Sequence, residues 1–158
     1  MTPTITQHYE RDHDRLDGLF KRFQALKMSN PAQARACFLE FQNGLLRHIV
    51  WEEEILFPAF EDKTGIKGMG PTEVMRMEHR QIKQLLATIA QRLREQTDTD
   101  AQEAALIETL GEHNRKEEGV LYPTIDSQLT DQERSDVFTR MESVQFKSGE
   151  GDTYIRCR

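Results

Sequence analysis

One eleven-residue pattern occurs twice in this chain of 158 residues, and it limits the fold more than any other feature. Residues 48–58 (HIVWEEEILFP) and 113–123 (HNRKEEGVLYP) both read H-x-x-x-E-E-x-x-x-[F/Y]-P, with His113 placed 65 residues after His48. Two further histidines, His13 and His79, are 66 residues apart. Each follows an acidic residue, Asp12 or Glu78, and each leads an apolar run of helical period. A first pair of helices is thus echoed by a second pair, which implies a pseudo-twofold arrangement.

The spacing has a physical consequence. Residues four apart on an α-helix differ by about 40° around the axis and about 6 Å along it. His48 and Glu52 therefore point the same way, as do His113 and Glu117, and each pair can reach a common centre. One histidine from each of the other two helices, His13 and His79, closes the site. Two carboxylates can then bridge two cations while two imidazoles bind each, in the manner of carboxylate-bridged dimetal bundles. Imidazole with carboxylate suits iron, manganese or zinc, and the lack of thiolate argues against a structural zinc knuckle. A single His-x-x-x-Glu pair on a helix is more often a surface hydrogen bond or weak ion pair. Two copies in register, with matched partner histidines, reverse that reading.

Apolar periodicity supplies the frame. Ile5, Tyr9, Leu16, Leu19, Phe20 and Phe23 mark a first helix over 5–27. Pro31 opens a second that runs through Leu56, where Pro58 should end or kink it, followed by a glycine-rich loop over 62–70. Pro71 opens a third helix through Leu93, QTDTD at 96–100 breaks the chain, and a fourth runs from Ala101 to a stop at Tyr122-Pro123. Thr130 and Glu133 form a capping box that predicts a short fifth helix over 131–146. The expected fold is all-α: an up-down-up-down four-helix bundle in one domain over 1–147, with a C-terminal tail over 148–158. Nothing alternates over a stretch long enough to propose a sheet.

Composition agrees: 37% apolar and 30% charged residues suit amphipathic helices that each bury one stripe. A net charge of −6 leaves no cationic footprint for nucleic acid or an acidic membrane surface. No window approaches a membrane span and the N-terminus has no apolar signal region. Cys37 and Cys157 lie far apart and form no C-x-x-C pair, so the expectation is no disulfide framework and a cytoplasmic protein. Cys37 reads as a small core residue and Cys157 as an exposed thiol.

At this point the chain resembles the hemerythrin-like, or HHE, family, from about His13 to Pro123. The resemblance implies a non-haem di-iron centre, oxo- or hydroxo-bridged, with His13, His48, Glu52, His79, His113 and Glu117 as ligands. Oxygen-carrying hemerythrins have a second histidine one turn before the third-helix ligand, and here that position is Met75. The pattern is similar to the branch that includes iron-sulfur-cluster-repair di-iron proteins, although no cysteine-bearing N-terminal domain of that kind precedes His13. The implied function is binding of a small diatomic ligand, O2 or NO, for sensing, storage or delivery. The alternative is a redox enzyme with a redox partner, acting on NO or peroxide or assisting iron-sulfur cluster repair.

Residues at the edge of the centre carry their own expectations. Tyr9, four residues before His13, reads either as a core aromatic or as a residue lining the metal pocket. Met75 reads as an apolar wall where the histidine is missing. Glu53 and Glu118, five residues from their histidines, are expected to hydrogen-bond neighbouring histidines or to face solvent; a swap of ligand role between Glu117 and Glu118 stays open. Trp51 is expected beside the second helix, and His8, without a counterpart in the repeat, is expected to be exposed.

Overall fold

The computed structural model describes residues 2–144 and 156–158. All regular structure among them is helical. Helix α1 spans Ile5–Leu26, α2 Pro31–Trp51, α3 Phe57–Thr64, α4 Pro71–Arg94, α5 Asp100–Lys116, α6 Tyr122–Gln128 and α7 Asp131–Glu142. Local chemistry sets the ends. Thr4 and Gln7 form a capping box at the start of α1, Thr130 and Glu133 another at the start of α7, and proline begins α2 and α4. Gly65, at φ 76°, takes the left-handed conformation that closes α3. The short connections after α1 and α4 fold each helix back on the next, and α1 packs on α2 as α4 packs on α5.

Neither proline of the repeat ends its helix, which corrects the stop expected at Tyr122-Pro123 and leaves Pro58 beside a local irregularity rather than a terminus. Pro58 does not end its helix: the chain continues through a π-helical turn, Glu52–Leu56, into α3. Pro123 likewise follows a π turn, Glu117–Leu121, and the helix runs on as α6. A proline in a regular α-helix lacks one donor and collides with the carbonyl four residues back. The wider turn removes that conflict: the N–H of Phe57 bonds the Glu52 carbonyl, the N–H of Tyr122 bonds the Glu117 carbonyl, and each proline falls in the first turn of a renewed helix.

The core lies in two apolar layers. One contains Ile5, Tyr9, Phe57, Met75, Tyr122 and Ile125; the other is built around Leu16, Phe20, Phe41, Ile82, Leu86 and Leu106. Gly44 permits the close approach of α1 to α2, since a Cβ there would meet Leu16 Cδ2 at 2.7 Å. Glu61, buried at the end of α3, accepts from Thr72 at 2.8 Å and from both terminal nitrogens of Arg76, which ties α3 to α4. Asp126 of α6 accepts from the backbone of Ile5 and Thr6 and so caps α1 from outside. Trp51, half-buried, donates to the Met141 carbonyl at 3.2 Å and holds α7.

Three smaller expectations are corrected. Cys37 and Cys157 are joined in a disulfide, with Cα atoms 4.3 Å apart, so Cys157 is not a free thiol. The partners are 120 residues apart in sequence, where no spacing rule applies, and the cysteine count carries no argument about compartment. His8 is half-buried against Tyr9, Trp51 and Phe138. Helix α7 ends at Glu142, short of 146, and 145–155, most of the expected tail, lies outside the described residues. No helix among the described residues is long and apolar enough to cross a membrane.

Candidate metal centre

Between the two apolar layers lies one polar stratum. It contains His13 of α1, His48 of α2, Glu52 and Glu117 at the starts of the two π turns, His79 of α4 and His113 of α5, all six buried. Potential ligand atoms of Glu52, His79, His113 and Glu117 lie within 4.8 Å of one another, and so do those of His13, His48 and Glu117. Glu117 belongs to both groups. Its Oε1 is 3.3 Å from His13 Nε2 and 3.2 Å from His113 Nε2. Glu52 Oε1 is placed in the same way, 3.6 Å from His48 Nε2 and 3.2 Å from His79 Nε2. Each carboxylate therefore faces one imidazole from each half of the repeat.

The outer ring nitrogens are all occupied. His13 Nδ1 meets Glu118 at 2.6 Å, His48 Nδ1 meets Asp12 at 2.8 Å, His79 Nδ1 meets Glu53 at 2.7 Å and His113 Nδ1 meets Glu78 at 2.8 Å. With Nδ1–H donated outward, each Nε2 presents its lone pair to the centre, which is the arrangement that orients imidazole toward a cation. The repeat extends to these acceptors. Asp12 and Glu78 serve the histidine of the next helix, and Glu53 and Glu118 serve the histidine of the first helix in the other half.

Three buried atoms test whether a cation fits. Glu52 Oε1, His79 Nε2 and Glu117 Oε2 have no hydrogen-bond partner. Although the first two are 3.2 Å apart, they do not meet in hydrogen-bonding geometry. A buried carboxylate oxygen and a buried imidazole nitrogen left unpaired each carry a desolvation penalty of about 1–3 kcal/mol or more. Cations between the two carboxylates would satisfy all three. The donor set of imidazole and carboxylate suits iron, manganese or zinc.

Electrostatics in the metal-free protein follows from the same crowding. Burial alone would lower His13 and His79, but Glu117 and Glu118 around the first, and Glu52 and Glu53 around the second, hold both up at about 9. His113 is raised too: burial would lower it, but Glu117 and Glu52 together outweigh burial. Burial and the nearby Glu117 charge raise Glu52, whereas Glu117, although buried, is held well below the usual range by Glu52, His113 and His13. Asp12 falls to about 2 because His48 and Arg15 outweigh its burial. Cation binding must displace the extra protons on the imidazoles.

The neighbouring residues divide clearly. Tyr9 is fully buried with its ring edge on His48, 5.0 Å between centroids, but its hydroxyl turns to Met141 Sδ at 3.4 Å rather than to the centre. Met75 lies in the apolar layer with Phe57. Phe57 stacks on His79 at 6.0 Å. Glu118 is partly exposed and also lines a cleft of about 330 Å³ between α1 and α5, floored by Phe20, Phe41, Leu106 and Leu110. Two features went unread in the sequence: the acceptor roles of Asp12 and Glu78, and Tyr122. The first had a signal, an acid directly before His13 and before His79. The second was taken only as part of a helix stop.

Fold and site together define an all-helical protein with a buried, duplicated histidine–carboxylate cluster able to hold cations. The model of the hemerythrin HHE cation-binding domain matches residues 4–125, and the chain belongs to that family. Membership implies iron as the bound cation. The chain is similar to the iron-sulfur cluster repair protein YtfE of Enterobacter sp. (strain 638), 30% identical over 139 residues, 75% of this chain and 61% of that protein. It is similar also to the YtfE protein of Escherichia coli O1:K1, 31% identical over 91 residues, 54% of this chain and 41% of that one. The chain thus spans 61% of one relative and 41% of the other. No solved structure gives a significant match.

Proposed function

We propose that this chain is an up-down-up-down four-helix bundle holding a non-haem di-iron centre on His13, His48, Glu52, His79, His113 and Glu117, and that it binds a small diatomic ligand, O2 or NO. One observation carries the reading: Glu52 and Glu117 each face an imidazole from both halves of the repeat, which is the placement two shared carboxylates need to serve two cations. Bound iron would supply open coordination positions and a redox couple. The protein would supply neutral imidazoles oriented by Asp12, Glu53, Glu78 and Glu118, and a surround of Met75, Phe57 and Tyr9 that excludes water.

A second reading has its own support. Relatives named for iron-sulfur cluster repair, together with Met75 in place of an additional histidine, favour a redox role toward NO or peroxide, or in cluster repair. Iron analysis with an optical spectrum tests the centre itself: two irons per chain, with a thermal stability that falls on chelation, is the expected result. Absence of iron after anaerobic loading overturns it. Stopped-flow mixing of the reduced protein with O2, NO or peroxide then separates the two readings. A long-lived, reversible adduct favours binding, and repeated turnover with a reductant favours the enzyme.

A further inference from the structure

The two halves of the repeat differ at one chemically important place. Tyr122 and Phe57 occupy equivalent positions, each directly before the proline of its copy. Both are fully buried. Phe57 lays a plain ring on His79. Tyr122 instead brings a hydroxyl into the centre, 2.7 Å from Glu52 Oε2 and 2.9 Å from Glu117 Oε1. The same oxygen is 3.3 Å from His48 Nε2 and 3.4 Å from His13 Nε2. Four of the six proposed ligands surround it, and both histidines among them belong to one metal position.

Backbone geometry explains how a residue five places after Glu117 returns to the same face. On a regular α-helix, positions i and i+5 would diverge by about 140°. The π turn Glu117–Leu121, closed by the Tyr122 N–H on the Glu117 carbonyl, winds more residues into one turn and brings Tyr122 back over Glu117. π turns of this kind recur at functional sites. The matching turn Glu52–Leu56 does the same for Phe57, but there the side chain has no donor atom.

The four separations also have a recognisable scale. Neighbouring donor atoms around a six-coordinate cation with bonds of about 2.1 Å are about 3 Å apart. The Tyr122 oxygen stands at 2.7–3.4 Å from two carboxylate oxygens and two imidazole nitrogens, the spacing of one more vertex in a shared coordination shell. Tyr9, the other tyrosine in this layer, directs its hydroxyl to Met141.

We propose that Tyr122 is a seventh protein ligand, its phenolate oxygen binding the iron held by His13, His48 and Glu117. This deepens the di-iron reading and rests on it. Coordination exchanges the phenolic proton, released to solvent, for a metal–oxygen bond. The His13/His48 position thereby gains one protein donor that the His79/His113 position, walled by Phe57, lacks, and the latter is left the more open to a small exogenous molecule.

Ferric iron bound by tyrosinate has a phenolate-to-metal charge-transfer band, and excitation into it enhances phenolate ring modes in the Raman spectrum. A purely structural tyrosine produces neither. The iron-loaded, oxidised full chain is expected to show both features, and Tyr122→Phe to lose them. The double variant Tyr9→Phe/Tyr154→Phe leaves Tyr122 as the sole tyrosine of three and is expected to retain them, which assigns the band even where Tyr122→Phe fails to fold. Two irons per chain without the band in the natural protein, loss of the band from the double variant, or its survival in Tyr122→Phe overturns the proposal while leaving the di-iron reading intact. Fewer than two irons in the natural protein overturns both.

Discussion

Replacing Asp12 with alanine removes the acceptor that holds His48 in place, and the structure sets the size of the effect. Asp12 receives the His48 Nδ1–H at 2.8 Å and pairs with Arg15 at 3.0 Å, at a side-chain exposure of only 10%. Glu118 performs the equivalent task for His13 at 2.6 Å but is 34% exposed, so water can take over as acceptor when it is truncated. Loss of an acceptor behind a metal-binding imidazole lowers affinity by about 10–100-fold, or about 1.4–2.8 kcal/mol. Asp12→Ala belongs near the upper end because no solvent replaces the lost carboxylate, and Glu118→Ala near the lower end. Anaerobic competition of each variant with a chelator for ferrous iron measures both, with circular dichroism confirming that the helices persist. Equal affinities for Asp12→Ala and the natural protein, or a larger loss in Glu118→Ala, refutes the claim that burial of the acceptor controls the strength of the site.

Other consequences can be checked independently. In metal-free protein, His13 and His79 are held up at about 9 against an ordinary value of 6.5, so the stability they contribute is complete below pH 6.5 and lost as pH rises through 9. The melting temperature of the metal-free chain should therefore fall as pH rises from 6.5 through about 9; a rise across that window contradicts the assignment. Iron uptake near neutral pH should release protons, measurable as acidification of a weakly buffered solution. Gly44→Ala places a Cβ at 2.7 Å from Leu16 Cδ2 and should destabilise by about 1–3 kcal/mol, read from urea unfolding; an unchanged midpoint shows that α1 can give way. Cys157→Ser removes a cross-link to α2 that closes a loop of 120 residues and should cost about 2–4 kcal/mol. A reductant that leaves the natural protein's stability unchanged argues against that bond.

Much of this protein was legible in one dimension because helices convert spacing into direction. His48 with Glu52, and His113 with Glu117, share a helix face by period alone, and the matching intervals of 65 and 66 residues bring the second half of the chain into register with the first. The same period revealed the buried stripes through Phe20, Phe41, Ile82 and Leu106, and capping chemistry revealed the start of α7. Contacts between helices were not legible in that way. That Glu118 receives His13 while Asp12 receives His48 depends on how the helices pack, and no interval in the sequence encodes it. The disulfide joining Cys37 to Cys157 depends on where the terminus comes to rest. Pro123 read as a helix end, and Pro58 as an end or a kink, because sequence rules assume four-residue hydrogen bonding; the folded chain instead widens to a π turn before each proline, which relieves the proline's conflict with the preceding turn. Those turns also decided the placement of Tyr122. By sequence it belonged to a repeated aromatic-proline signature, and only the wider turn carried its hydroxyl among Glu52, Glu117, His13 and His48. Periodicity along the chain thus determined which side chains could share a face, while the geometry across helices determined which atoms meet there.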